Sequence, residues 1–313
     1  MNKLAVSVSP HIHTNETTRS IMLDVIIALL PASVASVIFF GIKALFLIST
    51  SIIFSVMSEW IFSVITKRKS SISDLSAVVT GLILGLNVTV SLPLWQIAVG
   101  AIFATFFVKM LFGGIGQNFA NPAITARIIM LLSFGGTMTN YAYPTDAVSA
   151  ATPLALMKSG AYHKVPETLD LFLGKCGGCL GETSALALII GGLYLYFRRV
   201  ITLHTPLSFI ATVFVLSFIF GRPPLKEILS GGLIFGAIYM ATDYSSSPVK
   251  KSGKIIFGIG CGLITMLIRK YGTYPEGVSF AILFMNILAV YIEKITIIKP
   301  LGVGGKHIEK AIS

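Results

Sequence analysis

The sequence predicts an all-α polytopic membrane protein with about ten transmembrane helices, forming one integral domain over residues 1–313. Hydrophobic residues make up 54% of the chain and charged residues 12%, whereas a soluble domain averages about 25% charged residues. So few charges cannot cover a water-exposed surface, which excludes a soluble enzyme, a disordered protein and a nucleic-acid-binding domain. The net charge of +11 is then typical of basic anchors at cytoplasmic helix ends.

Apolar segments supply the helices in chain order. A hydrocarbon core about 30 Å thick needs about 20 apolar residues per helix. The candidate spans are 22–40, 44–66, 74–91, 94–112, 122–136, 183–197, 203–220, 228–241, 255–269 and 278–297. The short segments 122–136 and 228–241 begin at proline or are rich in glycine, so we expect them to be tilted, broken or part-spanning.

Basic residues set the expected orientation. With the N-terminus in the cytoplasm, the inner side holds about twice as many lysines and arginines as the outer side. This count assigns Lys109 and Arg127 to the inner side and Arg269 to the outer side. It predicts cytoplasmic termini, a cytoplasmic lead-in at 1–21 and an extracytoplasmic loop at 137–182.

Two halves of the chain look alike in outline. Segments 79–130 and 230–285 each combine a glycine-spaced helix, a polar turn and a helix that ends in a basic residue. Gly81 and Gly85 have the spacing of Gly232 and Gly236. The pattern predicts an inverted 5+5 repeat, as in many transport proteins. The alternative is ordinary close helix packing, which produces the same glycine spacing.

The outer loop contains a run of small residues, Asp146-Ala-Val-Ser149-Ala-Ala151-Thr152, followed by proline. Thr152 suits a helix N-cap, and proline suits the first helical position. The free N–H groups of such a helix suit a phosphate. From spacing alone, a plain capped surface helix is the alternative.

Residues 112–127, FGGIGQNFANPAITAR, predict a broken helix within the membrane. The glycines interrupt one helix, Pro122 opens the next, and Asn118 and Asn121 place amides where unsatisfied polar groups are costly. Such breaks usually line a site or cavity. No Gly-Lys-Ser/Thr follows, so the segment is not a nucleotide-binding P-loop. The alternative is tight packing with capping amides.

Two acidic residues are candidates for an ion path. Glu59 lies within an apolar span and Asp243 ends another. Acids within the membrane indicate functional sites; the alternative for Glu59 is an ion pair with a basic residue on a neighbouring helix. Cys176 and Cys179 form a single CxxC pair, which predicts a disulfide or two free thiols rather than a closed metal site.

Seven stretches together resemble the RnfD subunit of the Rnf ion-translocating electron-transport complex and its homologue, the NqrB subunit of the sodium-pumping NADH:quinone oxidoreductase. They are SPHI (9–12), IMLDVIIALLPA (21–32), FGGIGQNFANPAITAR (112–127), DAVSAAT (146–152), GETSALAL (181–188), MATD (240–243) and YPEGVSFAILFMN (274–286). They occur in family order and cover nearly the whole chain. The short N-terminal part favours the Rnf subunit.

The resemblance implies a covalent flavin. In that family the final threonine of the loop motif is esterified to the phosphate of FMN by a flavin transferase, which here indicates Thr152. Asp146, Ser149 and Ala151 match the motif, whereas Ala150 stands where glycine is usual. Related subunits also hold a noncovalent flavin, riboflavin, for which Asn118 and Asn121 are the candidates.

The resemblance further implies electron transfer between ferredoxin and NAD, coupled to movement of Na⁺ or H⁺ across a bacterial or archaeal cytoplasmic membrane. The expected partners are the other Rnf subunits (RnfA, RnfB, RnfC, RnfE and RnfG) and the lipid bilayer. Composition and topology also fit a solute channel or carrier, or a structural scaffold. The loop motif favours the redox function, because a channel has no use for a flavin-attachment sequence.

Overall fold

A computed structural model describes residues 16–68, 71–142, 151–274 and 276–297. Within these ranges the chain is helical and contains no β-strand. The helices are α1 (Thr18–Phe40), α2 (Ile42–Thr66), α3 (Ser76–Leu86), α4 (Leu94–Ile102), α5 (Pro122–Ser133), α6 (Gly135–Met138), α7 (Pro153–Lys158), α8 (Thr168–Leu173), α9 (Ala185–Phe197), α10 (His204–Ile219), α11 (Pro224–Leu229), α12 (Leu233–Phe235), α13 (Lys251–Tyr271) and α14 (Val278–Thr296). Two π-helical segments, Phe103–Met110 and Gly236–Met240, continue α4 and α12.

Each predicted span contains a helix. Four helices, α1, α2, α13 and α14, are long and apolar enough to cross a membrane. The remaining apolar helices are shorter, with α3, α5, α9, α10 and the combined Leu94–Met110 segment at 10–17 residues. The predicted class, an all-helical multi-pass membrane protein, is therefore confirmed, while the count of ten spans stays a prediction.

The segment 228–241 is broken, as predicted. Helix α11 ends at Leu229, and Gly231 then adopts a φ of +65°, a left-handed conformation that favours glycine. The chain resumes helical structure only at Leu233. The other short segment begins at Pro122, where Asn121 caps the first turn of α5.

The bundle turns large apolar side chains outward and small polar ones inward. Trp60, Phe218 and Ile295 are all more than half exposed, whereas Ser51 and Ser55 on α2 are fully buried. The Ser51 hydroxyl donates to the carbonyl oxygen of Gly81 at 2.7 Å. This inside-out distribution suits lipid as the solvent, where small residues and hydroxyls join neighbouring helices.

The two glycine pairs behind the predicted repeat pack differently. Gly81 and Gly85 lie against the backbone of α2. Gly232 faces the carboxylate of Glu182, and Gly236 faces Val278 on α14. Equal glycine spacing therefore reflects close packing against different neighbours, which leaves the repeat to be argued from helix pairing.

We expect Gly81→Ala to destabilise the bundle. A Cβ at this position would lie 2.8 Å from both the Cα of Ile52 and the carbonyl oxygen of Ser51, so two helix backbones must separate. Overpacking of this kind costs about 1–3 kcal/mol. The matched control is Gly136→Ala, which meets no atom within 4 Å. Thermal unfolding in detergent should show a lower Tm for the first variant only; equal Tm values would contradict the packing.

Candidate functional site

Thr152 is the N-cap of α7, as the sequence predicted. Its backbone is extended, with φ −63° and ψ 156°, and its hydroxyl oxygen accepts from the backbone N–H of Ala155 at 3.2 Å. Pro153 occupies the first helical position. Ala151 and Thr152 are described, whereas Asp146 and Ser149 lie in residues 143–150, outside the described residues.

A pocket adjoins Thr152, and we call it the Thr152 pocket. It encloses about 680 Å³, including the space at its mouth. Its walls are largely apolar and aromatic: Tyr274 and Phe280 stack with ring centroids 6.0 Å apart and planes 19° apart. The lining also includes Leu131, Thr139, Tyr141, Ala151, Arg127 and Glu276. The residue predicted to carry the flavin thus borders a cavity with flat aromatic walls.

Buried charged groups form the polar side of this pocket. Arg127 of α5 donates through Nη2 to Glu276, to Glu182 at 3.4 Å and to the Sγ of Cys179 at 3.5 Å. The Tyr141 hydroxyl donates to Glu276. We call these five residues the arginine cluster. It joins α5 to the loops that precede α9 and α14.

Arg127 holds its position through further contacts across the bundle. Its Nε donates to the carbonyl oxygen of Asn87 at 3.0 Å, and its Nη1 donates to the hydroxyl of Ser279. Sγ of Cys179 and one oxygen from each glutamate lie within 4.8 Å of one another. The guanidinium already contacts all three atoms and supplies their positive charge, so a metal ion there would have to displace it.

The two carboxyls of the cluster are unequal. Burial and the charge of Glu276 raise the pKa of Glu182 to about 7, against the opposing charge of Arg127. Burial also acts to raise the pKa of Glu276, but the charge of Arg127 and hydrogen bonds from Tyr141 and Arg127 hold it below its ordinary value. Of the two carboxyls, Glu182 is therefore the one with the higher pKa.

We expect protein stability to fall as pH rises from about 4.5 to 7. Folded Glu182 keeps its proton to about pH 7, whereas the unfolded carboxyl releases it near 4.5. The folded state therefore loses up to about 1.4 kcal/mol per pH unit in this window. Glu276 does not contribute in this pH range, because its pKa lies below the ordinary value. The Tm in detergent should fall over this range, and Glu182→Gln should flatten the slope; an unchanged slope would contradict the assignment.

The cysteines are free thiols. Cys176, Cys179 and Cys261 are buried and form no disulfide. Burial raises the pKa of Cys176 to about 12 and raises that of Cys179 well above its usual range. Thiols that stay protonated at neutral pH are poor nucleophiles and poor metal ligands.

A second cavity brings together three of the predicted residues. Asn118, Asn121 and Asp243 line one space of about 760 Å³, including its mouth, beside Lys109. Asn121 Oδ1 accepts from the N–H of Ala123 at 3.0 Å, which confirms the capping role that the sequence left as an alternative. Asp243 accepts from the hydroxyls of Ser245 and Ser246. We call this space the Asn118 cavity.

Glu59 forms the ion pair that was its alternative. Its carboxylate lies 2.7 Å from Nζ of Lys109, and both side chains are at most 2% exposed. Lys109 also donates to the hydroxyl of Ser76 at 2.6 Å, and Ser71 donates to Glu59. The pair joins α2 to the π-helical segment that follows α4. A place for Glu59 in an ion path remains a prediction.

The structure corrects the role given to three basic residues. Lys109, Arg127 and Arg269 were counted as charges at the membrane faces, but each is at most 4% exposed. Arg269 pairs with Glu227 at 2.8 Å. Arg127 lies against the loops before α9 and α14, which the predicted topology puts outside, so it is not an inner anchor.

Sequence reasoning missed Arg127, Tyr141 and Glu276 as site residues. One signal was present: Arg127 falls within the predicted span 122–136, where a charge needs a partner. The partner could not be named, because Glu276 is 149 residues away in sequence. Tyr141 carried no signal at all.

Comparisons with known proteins agree with one another. The sequence model of the NQR2, RnfD, RnfE family matches residues 5–302. The D component of the Na(+)-translocating ferredoxin:NAD(+) oxidoreductase complex of Acetobacterium woodii is 49% identical, over 94% of this chain and 93% of the relative. The D component of the proton-translocating ferredoxin:NAD(+) oxidoreductase complex of Clostridium ljungdahlii is 38% identical, over 94% and 95%. The D component of the ion-translocating oxidoreductase complex of Stutzerimonas stutzeri is 34% identical, over 88% and 89%.

Proposed function

Because the chain belongs to the NQR2, RnfD, RnfE family, we propose that it relays electrons through FMN bound covalently to Thr152 within an Rnf complex. The chain is a subunit of an ion-translocating redox enzyme complex, and the other Rnf subunits are its partners. The overall reaction is electron transfer between ferredoxin and NAD, coupled to Na⁺ or H⁺ movement. The subunit alone is an electron carrier.

One observation carries the covalent site: the motif threonine borders a pocket with aromatic walls. Thr152 lines this pocket together with the stacked rings of Tyr274 and Phe280. Flat apolar walls suit a planar ring system, and a single polar side suits the orientation of such a ring. The residues present therefore fit a flavin tethered at Thr152.

The bound FMN would supply the redox chemistry, and the protein supplies attachment, orientation and electrostatics. Thr152 provides the hydroxyl for the phosphate ester, which prevents dissociation. Leu131, Tyr274 and Phe280 line the pocket, and their apolar surfaces would shield a bound ring from water. Arg127 lines the same space, but its charge is already balanced by Glu276, so we do not assign it to the phosphate.

Fluorescence in denaturing gels tests the covalent site. The protein is co-expressed with a flavin transferase, and we expect a fluorescent band that Thr152→Ala abolishes. Thr139→Ala is the matched control, because Thr139 lines the same pocket and should keep the band. A dark wild-type band, or an undiminished band in Thr152→Ala, would defeat the proposal.

The Asn118 cavity is the proposed site of a noncovalent flavin, riboflavin. Asn118 lines this cavity. With its amide nitrogen turned toward the carbonyl oxygens of Lys109 and Gly114, at 3.2 Å each, its amide oxygen is the atom that would accept from a ligand. Asn121 is already a helix cap, so Asn118→Leu is the cleaner test. The amount of flavin released by denaturing the Asn118→Leu protein should be lower than in wild type, whereas the Thr152→Ala protein should release the wild-type amount of noncovalent flavin. A wild-type amount from Asn118→Leu would rule out this site.

The ion path is proposed to include Asp243 and Glu59. Asp243 shares a cavity with Asn118 and Asn121, which would place a carboxylate beside the second flavin. Glu59 reaches the same cavity only through Lys109. Asp243 is therefore the stronger candidate of the two, and undiminished ion transport in Asp243→Asn would remove it from the path.

The proposed topology has ten spans, cytoplasmic termini, an extracytoplasmic loop at 137–182 and a location in a bacterial or archaeal cytoplasmic membrane. An inverted 5+5 repeat is supported by helix pairing: α1 packs on α9, and α5 packs on α14, which is consistent with a twofold relation between the halves. Lys109 and Arg269 also form buried ion pairs near equivalent helix ends.

A solute channel or carrier is the competing function. Broken helices and an inverted repeat fit it equally well. Two observations favour electron transfer. The relatives are named as parts of oxidoreductase complexes, and a flavin-attachment threonine beside an aromatic pocket has no use in solute movement. Reduction-dependent flavin absorbance in the assembled complex would also separate the proposed function from a structural scaffold.

A further inference from the structure

Two buried carboxyls face one guanidinium beside the Thr152 pocket. Glu182 is 5% exposed and Glu276 is 9% exposed, and both contact Nη2 of Arg127. With both carboxyls ionised, the three side chains carry a net negative charge in a buried site. With one carboxyl protonated, they are neutral. A buried charge without compensation is costly, so the cluster favours holding one proton.

We propose that Glu182 and Glu276 share one exchangeable proton, which the arginine cluster binds when negative charge enters the Thr152 pocket and releases when that charge leaves. This proposal rests on the proposed function, because the negative charge is that of electrons which arrive at the tethered flavin from a low-potential carrier of the complex. The balance is simple. At most one proton is bound from solution, and no bond other than that O–H forms or breaks.

The contacts assign the proton to Glu182. Glu276 is bound closely by Arg127 and also accepts from the Tyr141 hydroxyl. Glu182 has the longer contact with Arg127, at 3.4 Å, and otherwise adjoins the thiol of Cys179. Glu276 has the closer ion pair and the additional hydrogen bond, so it keeps its negative charge and Glu182 carries the proton. Because the two interact strongly, the midpoint belongs to the pair.

Other charged groups near the pair include Arg269 on α13 and, beyond it, Glu227 and Arg222 at α11. Arg269 of α13 donates to the backbone carbonyl of Glu276 at 3.3 Å and lowers its pKa. Glu227 binds Arg269 at 2.8 Å and Arg222 at 2.7 Å, which confines that positive charge. The neutral groups Ser279, Cys179 and Tyr141 contact the cluster, and the thiol of Cys176 lies near Glu182. Arg269 thus reinforces the ionised state of Glu276.

Three members of the arginine cluster line the Thr152 pocket, so charge in the pocket acts on the cluster at close range. Glu276, Tyr141 and Arg127 line the Thr152 pocket, whereas Glu182 lies behind Arg127. A negative charge in the pocket acts first on Glu276 and weakens the hold of Arg127 on both carboxyls. Like charge in a buried site raises the proton affinity of a carboxyl. Proton uptake therefore follows charge without direct contact with the flavin.

Infrared titration of the Thr152→Ala protein tests the site without covalent flavin. We expect one buried carboxyl with a midpoint near pH 7, lost in Glu182→Gln and kept in the control Glu167→Gln, which alters an exposed glutamate. Tyr141→Phe removes a hydrogen bond to the carboxylate form and should raise the midpoint by about one pH unit. This variant decides the matter if Glu182→Gln fails to fold. Absence of any carboxyl titrating between pH 5 and 9, or its persistence in Glu182→Gln, would overturn the proposal.

A redox difference spectrum tests the response to charge. At pH 8 the pair is mostly ionised at rest, so reduction of the flavin-bearing protein should produce the infrared band of a protonated carboxyl. Glu182→Gln should lack it. A fluorescent, reducible protein with no such band would overturn the proposal, whereas a protein without flavin would defeat the proposed function and leave the titration result standing.

Discussion

Thr152→Ala abolishes ferredoxin-driven NAD reduction and the coupled ion transport of the assembled complex. The reason is that an untethered flavin dissociates, and the side chains cannot carry the electrons without this cofactor. Loss of one hydroxyl that caps a six-residue helix costs only about 1 kcal/mol of stability, so the complex should still assemble. The measurement is NAD reduction and ion uptake by inverted membrane vesicles, with subunit levels checked by immunoblot.

Thr139→Ala is the control for this prediction too, since it alters the same pocket and should keep both activities near wild type. Thr152→Ser retains a hydroxyl and tests whether the attachment chemistry or the threonine methyl group matters. Wild-type electron transfer in Thr152→Ala vesicles would contradict the account, because the relay would then bypass this residue.

Lys109→Met strongly destabilises the protein. The change leaves Glu59, which is fully buried, without its cationic partner. Removal of one member of a buried ion pair typically costs about 3–5 kcal/mol. Thermal unfolding of the purified protein in detergent should show a large drop in Tm. Lys254→Met is the control, because Lys254 only donates to Thr202 at an exposed site and should change stability by less than about 0.5 kcal/mol.

The double variant Glu59→Met with Lys109→Met should recover most of the lost stability, because apolar replacement of a whole buried pair is often neutral. It also separates structure from transport. If a complex assembled with the double variant no longer moves ions, the Glu59–Lys109 pair takes part in transport; if that complex pumps normally, the pair is structural. A wild-type Tm in Lys109→Met alone would contradict the buried pair.

Composition and local pattern were sufficient for the all-helical, multi-pass class. The low charge and the apolar segments predicted a helix in each of ten positions, and Thr152-Pro153 and Asn121-Pro122 predicted two helix starts that the structure confirms. These features depend on residues close in sequence, where capping and periodicity act. The break within 228–241 followed from its glycines for the same reason.

Long-range charge pairing was beyond sequence reasoning. Arg127 and Lys109 were treated as anchors because a basic residue at a span end normally reaches water. Their carboxylate partners lie 149 and 50 residues away in sequence, and no local pattern encodes such pairing. The arginine cluster likewise forms only when α5 and the loops before α9 and α14 meet.

Intact-mass analysis of protein co-expressed with a flavin transferase would detect a phosphate ester at Thr152 without relying on activity. We expect a mass above that of the polypeptide by one FMN less one water, with fragmentation placing the addition on Thr152. A fully matured, active complex whose subunit shows only the polypeptide mass would contradict it.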